Sequence, residues 1–295
     1  MVSLCAAVLR KQINLLPPNK NTATQRRLTQ RYQDTYVLHD GIDVEDGLEE
    51  VNLTELNFAT NQFDSSIDQI PQIALTQLAL ISFTSGSTGD SKPNLKTWQT
   101  LTASTAINRR YMLPDLETTY SVLATVPGQH MWGLETSVLM ALFSCACIVD
   151  SKPLFPADIH AALASLPAPR AIVSTPVHLR ALAESDLDFS KSDIVLCATS
   201  PLTAELAKKV EQQFGAQLHE VYGCSEVGSM ALRKTAKEET WLKFDGINFT
   251  TNDDKTIAST DYLPERIELS DKIALDENNR FRLLGRSNDL SLIHI

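Results

Sequence analysis

An α/β fold of largely parallel sheets flanked by helices, with a small antiparallel β-rich subdomain appended, is predicted by three observations. From about residue 78 to residue 222, short β-rich runs alternate with helical segments. Strands alternating with helices of this length imply right-handed crossovers and a largely parallel sheet. After residue 228 the pattern turns to short polar strands separated by turns such as Asp245-Gly246, the signature of a small antiparallel sheet or partial barrel. Third, the apolar run Leu78 to Phe83, a buried strand in character, opens directly into a stretch of Thr, Ser and Gly that ends on a lysine.

Taken in order, Met1 to Arg10 is apolar without a basic leader and reads as the middle of a core helix, not a signal peptide. Leu15–Asn19 and Tyr36–His39 read as strands around a helix at Thr22–Arg31, and residues 41–70, acidic and rich in Asn and Gln, as a surface loop or insertion. Within the alternating region the strands are expected at Ser121–Val126, Cys147–Asp150, Ala171–Ser174, Asp193–Ala198 and Gln217–Tyr222. The helices between them are expected at Leu134–Phe143, Ala157–Leu166, Val177–Glu184 and Thr203–Phe214. In the last of these Leu206, Val210 and Phe214 share one face, Thr203 is an acceptable N-cap, and Gly215 stands where a helix stops. Short strands follow at Trp241–Phe244, Ile247–Thr250, Lys255–Ala258, Arg266–Leu269 and Phe281–Leu284.

The formal net charge of −10 and pI near 5.1 argue against nucleic acid or an anionic membrane as the main partner, without forbidding a local basic pocket. No apolar run is long enough for a membrane span. Five cysteines (Cys5, Cys145, Cys147, Cys197, Cys224) make no paired framework and read as buried, reduced thiols of a cytoplasmic protein.

The segment Thr84-Ser-Gly-Ser-Thr-Gly89, with Lys92 three residues on, has the composition of an anion cradle: glycines and small hydroxyls let backbone N–H groups approach, and the lysine adds a charge. Its spacing is not G-x-x-x-x-G-K-[ST], and Pro93 follows the lysine. It resembles instead the phosphate loop of adenylate-forming enzymes, the superfamily of acyl-CoA synthetases, peptide-synthetase adenylation domains and luciferases.

Four further segments carry the resemblance, in family order. Val126-Pro-Gly-Gln-His130 opens a helix, and resembles the element whose histidine or aromatic lies near the reacting carboxylate. Cys197-Ala198-Thr199-Ser200 occupies the place of the small-residue loop along adenine and acyl group, with Ala and Thr where glycines are usual. Tyr222-Gly223-Cys224-Ser225-Glu226 resembles Y-G-x-[TS]-E, whose tyrosine stacks on adenine and whose glutamate helps hold Mg2+. The residue types suit those tasks. Ser270-Asp271 and Gly285-Arg286 resemble T-G-D, which binds the ribose hydroxyls, and G-R-x-[DK], where a hinge begins; Ser270 and Asn288 depart from the pattern.

The resemblance implies the large N-terminal domain of the adenylate-forming fold, incomplete, and an acid–thiol ligase working in two steps. A carboxylic acid is activated by ATP and Mg2+ as an acyl-adenylate, and the acyl group then passes to coenzyme A or to the phosphopantetheine of an acyl carrier protein. Implied catalytic residues are Lys92, Thr88, Glu226 and His130. Implied nucleotide contacts are Thr84, Ser85, Gly86, Ser87, Thr88, Gly89, Lys92, Ala198, Thr199, Ser200, Tyr222, Gly223, Asp271 and Arg286, with Thr88 and Glu226 at the metal. The alternatives are a noncatalytic nucleotide-binding relative, a domain that loads only a carrier protein, or an unrelated α/β hydrolase or transferase, against which the absence of a G-x-S-x-G elbow counts.

The expected organisation is an α/β AMP-binding core over 1–227, a β-rich part of the same domain over 228–284, and a hinge start with a tail over 285–295. The chain opens mid-helix, and its last six residues, Leu290 to Ile295, match what a transposon-derived sequencing adapter encodes. The expectation is a fragment cut at both ends, without the C-terminal domain, that adenylates poorly.

Overall fold

Residues 1–55, 70–83, 92–113, 115–151, 153–252 and 255–286 are described by a computed structural model of the chain. They form two compact units, residues 1–98 and 99–295, with the boundary inside the stretch that reads from sequence as one core.

The first unit holds α1 (Val2–Leu9), β1 (Asn14–Leu16), α2 (Thr22–Arg31), β2 (Val37–His39), β3 (Glu50–Asn52), β4 (Leu78–Phe83) and β5 (Pro93–Thr97). Helix α1 buries only Leu4 and Val8 and leaves Val2 and Leu9 exposed, so it is a surface helix and not the middle of a core one. Helix α2 has the predicted bounds because Asn21 caps it, its side chain accepting from Thr24 N at 2.8 Å. Strand β4 lies between β1, parallel to it, and β5, antiparallel, with Phe83 opposite Pro93.

The second unit runs through α3 (Trp98–Met112), β6 (Ser121–Ala124), α4 (Met131–Gly133), a π-helical segment (Leu134–Leu139), α5 (Met140–Phe143) and β7 (Cys147–Ile148). It continues with α6 (Pro156–Ser165), β8 (Arg170–Ser174), α7 (Pro176–Ala183), β9 (Ile194–Cys197), α8 (Ala204–Phe214) and β10 (Gln217–Cys224). The antiparallel part follows: β11 (Gly228–Arg233), β12 (Trp241–Lys243), β13 (Asn248–Asn252), β14 (Lys255–Ser259), β15 (Ile267–Leu269), β16 (Asp271–Leu275) and β17 (Arg280–Arg286).

One nine-stranded sheet organises this unit, in the order β16-β17-β12-β11-β10-β9-β8-β6-β7. Strands β10, β9, β8, β6 and β7 are mutually parallel, as the alternating pattern predicts. Alternate strand residues feed two cores. Leu123, Ile172, Val195 and Leu218 meet α6, α7 and α8 on one face, where Leu163, Leu179, Val210 and Phe214 are fully buried. Val122, Val173, Leu196 and Val221 build the other core with Met112, Trp132, Met140 and Phe281. Only β13, β14 and β15 make a separate three-stranded sheet; the remaining late strands extend the main one, because the chain turns back on β10 through a hairpin.

One further expectation is corrected, and one helix has no counterpart in the sequence reading. Cys145 and Cys147 are exposed and only Cys197 is buried, although all five thiols are free. Helix α3 buries Thr100, Ser104, Thr105 and Asn108 beside Leu101 and Met112, and this polar inner face hides it from a search for apolar periodicity. Among the described residues no helix is long and apolar enough to cross a membrane.

Candidate functional site

In the parallel part of the main sheet the chain runs from β6 outward to β7, then returns to the opposite side of β6 to lay down β8, β9 and β10. The order reverses between β6 and β8, and a crevice forms at the carboxyl ends of strands that flank such a switch point. The segments that follow β6, β8, β9 and β10 carry most of the candidate residues.

After β6, His130 stands at the N-cap position of α4, exposed, with its backbone N–H donated to Pro127 O at 3.1 Å and no capping bond from its ring. Trp132, next in α4, is 9% exposed and donates its indole N–H to Ser174 O at 3.1 Å, the carbonyl that ends β8. The same carbonyl accepts the N–H of Ala198 at 3.4 Å. Thr125 Oγ1 lies 2.9 Å from Ser174 Oγ and 2.8 Å from His178 Nδ1, so a chain of hydroxyls and one imidazole links the ends of β6 and β8 to α7. Burial holds the His178 pKa below its ordinary value, which favours the neutral ring.

After β9, Ala198 is buried while Thr199 and Ser200 are exposed. Thr199 has φ +86°, a conformation that a β-branched residue rarely adopts, at the position where the resemblance leads one to expect glycine.

After β10 comes the hairpin to β11. A register shift falls between Tyr222 and Gly223. A Cβ on Gly223 would lie 2.4 Å from Gly228 O, so only glycine lets the strands close here. Gly228 has φ +99°, and a Cβ on it would meet Glu135 Oε1 at 2.3 Å. Glu135, 2% exposed in the π-helical segment, accepts from Ser229 N at 3.1 Å and Ser229 Oγ at 2.7 Å, fixing the hairpin to the helix behind His130. Glu226 lies half-buried in the hairpin loop.

Tyr222, Asp271 and Arg286 come together. The Tyr222 hydroxyl donates to Asp271 Oδ2 at 3.0 Å, and Arg286 Nε lies 3.7 Å from Asp271 Oδ1. Asp271 and Arg286 are register partners on β16 and β17. Tyr222 is 8% exposed, its ring packed at 5.7 Å from Trp241 and 5.8 Å from Phe281. Burial first, and then the Asp271 charge, push its phenol well above the ordinary value, so the hydroxyl stays a donor. Most of this ring is therefore spent on core packing, and its hydroxyl orients Asp271.

In the first unit Lys92 is exposed immediately before β5. Thr84, Ser85, Gly86, Ser87, Thr88 and Gly89 lie outside the described residues. Among the described residues no three His, Cys, Asp or Glu side chains gather as a metal site. A carboxylate such as that of Glu226 is of the type that could hold Mg2+, which is commonly bound by one or two carboxylates together with substrate phosphates.

Sequence reasoning missed Glu135, Glu220, Thr125, Ser174 and His178. The two acids carried a signal, each being a lone charge inside an apolar helix or strand, where burial requires a partner.

The profile of the family described as AMP-binding enzyme matches residues 6–254. No curated protein sequence matches the chain. Among solved structures, a malonyl-CoA ligase in a ternary product complex with methylmalonyl-CoA and AMP is similar at TM-score 0.76 and 16% identity, over 97% of this chain and 69% of that one. E. coli MenE carrying a substitution, with bound OSB-AMS, is similar at TM-score 0.72 and 15% identity, over 92% and 61%. ATP-bound MatB from Rhodopseudomonas palustris is similar at TM-score 0.61 and 19% identity, over 73% and 49%. The chain thus spans about half of the ATP-bound MatB structure and three fifths of the MenE structure.

Proposed function

The chain belongs to the AMP-binding enzyme family, and from that premise we propose that the protein activates a small carboxylic acid with ATP. A carboxylate oxygen attacks the α-phosphorus, the bond to the β-phosphate oxygen breaks, and pyrophosphate leaves an acyl-adenylate. A thiol of coenzyme A, or of a carrier protein's phosphopantetheine, then displaces AMP from the acyl carbon. The observation that best supports this reading is the meeting of Tyr222, Asp271 and Arg286, three residues far apart in sequence whose types suit an adenosine site.

On this reading Asp271 accepts from the ribose hydroxyls, held in orientation by Tyr222. Tyr222, Gly223 and the loop Ala198–Ser200 wall the adenine. Thr84, Ser85, Gly86, Ser87, Thr88, Gly89 and Lys92 cradle the β- and γ-phosphates. His130 lies beside the reacting carboxylate, and Arg286 begins the hinge. Thr88 and Glu226 would hold Mg2+, which when bound offsets phosphate charge. The free thiols at Cys5, Cys145, Cys147, Cys197 and Cys224 suit a reducing cytoplasm.

Catalysis of adenylation is mainly positioning and stabilisation of charge on phosphate oxygens. A lost charge-assisted contact costs about 2–4 kcal/mol in the transition state. Glu226→Ala is therefore expected to slow acid-dependent pyrophosphate exchange by about a hundredfold or more. Exchange within about tenfold of the parent chain would remove Glu226 from this role.

A further inference from the structure

Glu220 is 4% exposed in the middle of β10, two residues before Tyr222. A carboxylate so buried is tolerated only where its oxygens are paired. Oε1 accepts the N–H of Leu202 at 3.1 Å. Oε2 accepts from Arg233 Nε at 2.8 Å and from Thr235 Oγ1 at 2.6 Å. The Arg233 guanidinium is itself seated 4.5 Å from the centre of the Trp241 ring. The partners come from both sides of β10: Leu202 from the segment between β9 and α8, and Arg233 and Thr235 from the end of β11 and the turn after it.

The segment between β9 and α8 is where Thr199 holds φ +86°. Backbone in a sparsely populated region persists only if the surroundings over-determine it. One end is tied by Ala198 N to Ser174 O and the other by the Thr203 cap on Leu206 N. Between them Thr199, Ser200 and Pro201 are exposed, and the hydrogen bond from the Leu202 N–H to Glu220 ties this loop to β10.

We propose that Glu220 is a positioning residue: it fixes the Ala198–Leu202 loop in register with Tyr222 and so shapes the nucleotide site without touching the nucleotide. The consequence for nucleotide rests on the adenylating function proposed above; the anchoring of the loop does not.

Glu220→Gln keeps the side-chain shape but leaves one oxygen to serve Leu202, Arg233 and Thr235. Hydrogen exchange over residues 198–203 is expected to accelerate about tenfold, and the Kd for Mg·ATP by calorimetry to rise by a similar factor. The melting temperature should fall by only a few degrees. Arg233→Met supplies the contrast, since it removes the ion pair and leaves the Leu202–Glu220 bond. It should lower the melting temperature while the 198–203 amides stay protected. Exchange in Glu220→Gln equal to that of the parent chain, or equal release of the loop in Arg233→Met, would overturn the proposal. Failure of the parent chain to bind Mg·ATP would overturn the adenylating function instead, and the exchange comparison would still decide whether Glu220 anchors the loop.

Discussion

Thr199 carries a branched side chain at φ +86°, where an L-residue loses about 1–2 kcal/mol. Glycine avoids that strain but adds freedom to the unfolded chain. Thr199→Gly is thus expected to raise stability by up to about 1 kcal/mol in urea melts, and a fall would mean that the Thr199 side chain makes compensating contacts. Tyr222→Phe removes the bond to Asp271 and should cost about 1 kcal/mol. It should also weaken Mg·ATP binding, because Asp271 loses its orienting donor; unchanged affinity would separate Tyr222 from the ribose contact. The sequence marks Tyr222 and Asp271 through their motifs, yet it does not disclose that they bond to each other. That depends on β16 and β17 joining the main sheet, which no local pattern states. Nor could the motif foretell that the Tyr222 ring is largely enclosed by Trp241 and Phe281, since both come from strands that pair only in the folded sheet.

Among the elements, those with chemical punctuation were legible. Thr203 caps α8 by accepting from Leu206 N, and Gly215 ends it in the left-handed conformation at φ +61°. Helix α3 lacked such legibility because its buried face is built from Thr, Ser and Asn. Strands β12 and β17 read correctly as short strands, whereas β11 and β16 have no counterpart in the sequence reading, and the membership of all four in the nine-stranded sheet is a long-range matter of pairing. The hairpin between β10 and β11 is the most constrained element of the candidate site, with glycines at both ends and Glu135 behind it. Gly228→Ala combines a left-handed φ with a Cβ driven onto Glu135, and is expected to cost about 2–3 kcal/mol in urea melts. A loss below about 0.5 kcal/mol would show that the Glu135 packing is adaptable.

For the molecule as a whole, pH adds a check that is independent of any ligand. Among the described residues, neither ring nitrogen of His219 on β10 has a hydrogen-bond partner. Burial, and then the Lys234 charge against the weaker opposing pull of Glu238, lower its pKa to about 4. In the unfolded chain the ring takes a proton near pH 6.5, so the unfolded state binds more protons between these values. Stability should therefore fall as pH drops from about 6.5 towards 4, by up to about 3 kcal/mol from this residue. His219→Phe should flatten that part of the pH profile; an unaltered slope would assign it to other groups.

The proposed binding of ATP, with Lys92 at the phosphates, can be read from the melting temperature of the chain with and without millimolar Mg·ATP. Ligand at about a hundred times its Kd adds about 2.7 kcal/mol, which is a rise of a few degrees. That rise is expected in the parent chain, and its loss is expected in Lys92→Ala. A cooperative melt that Mg·ATP leaves unmoved, or an equal rise in both proteins, would contradict the proposal.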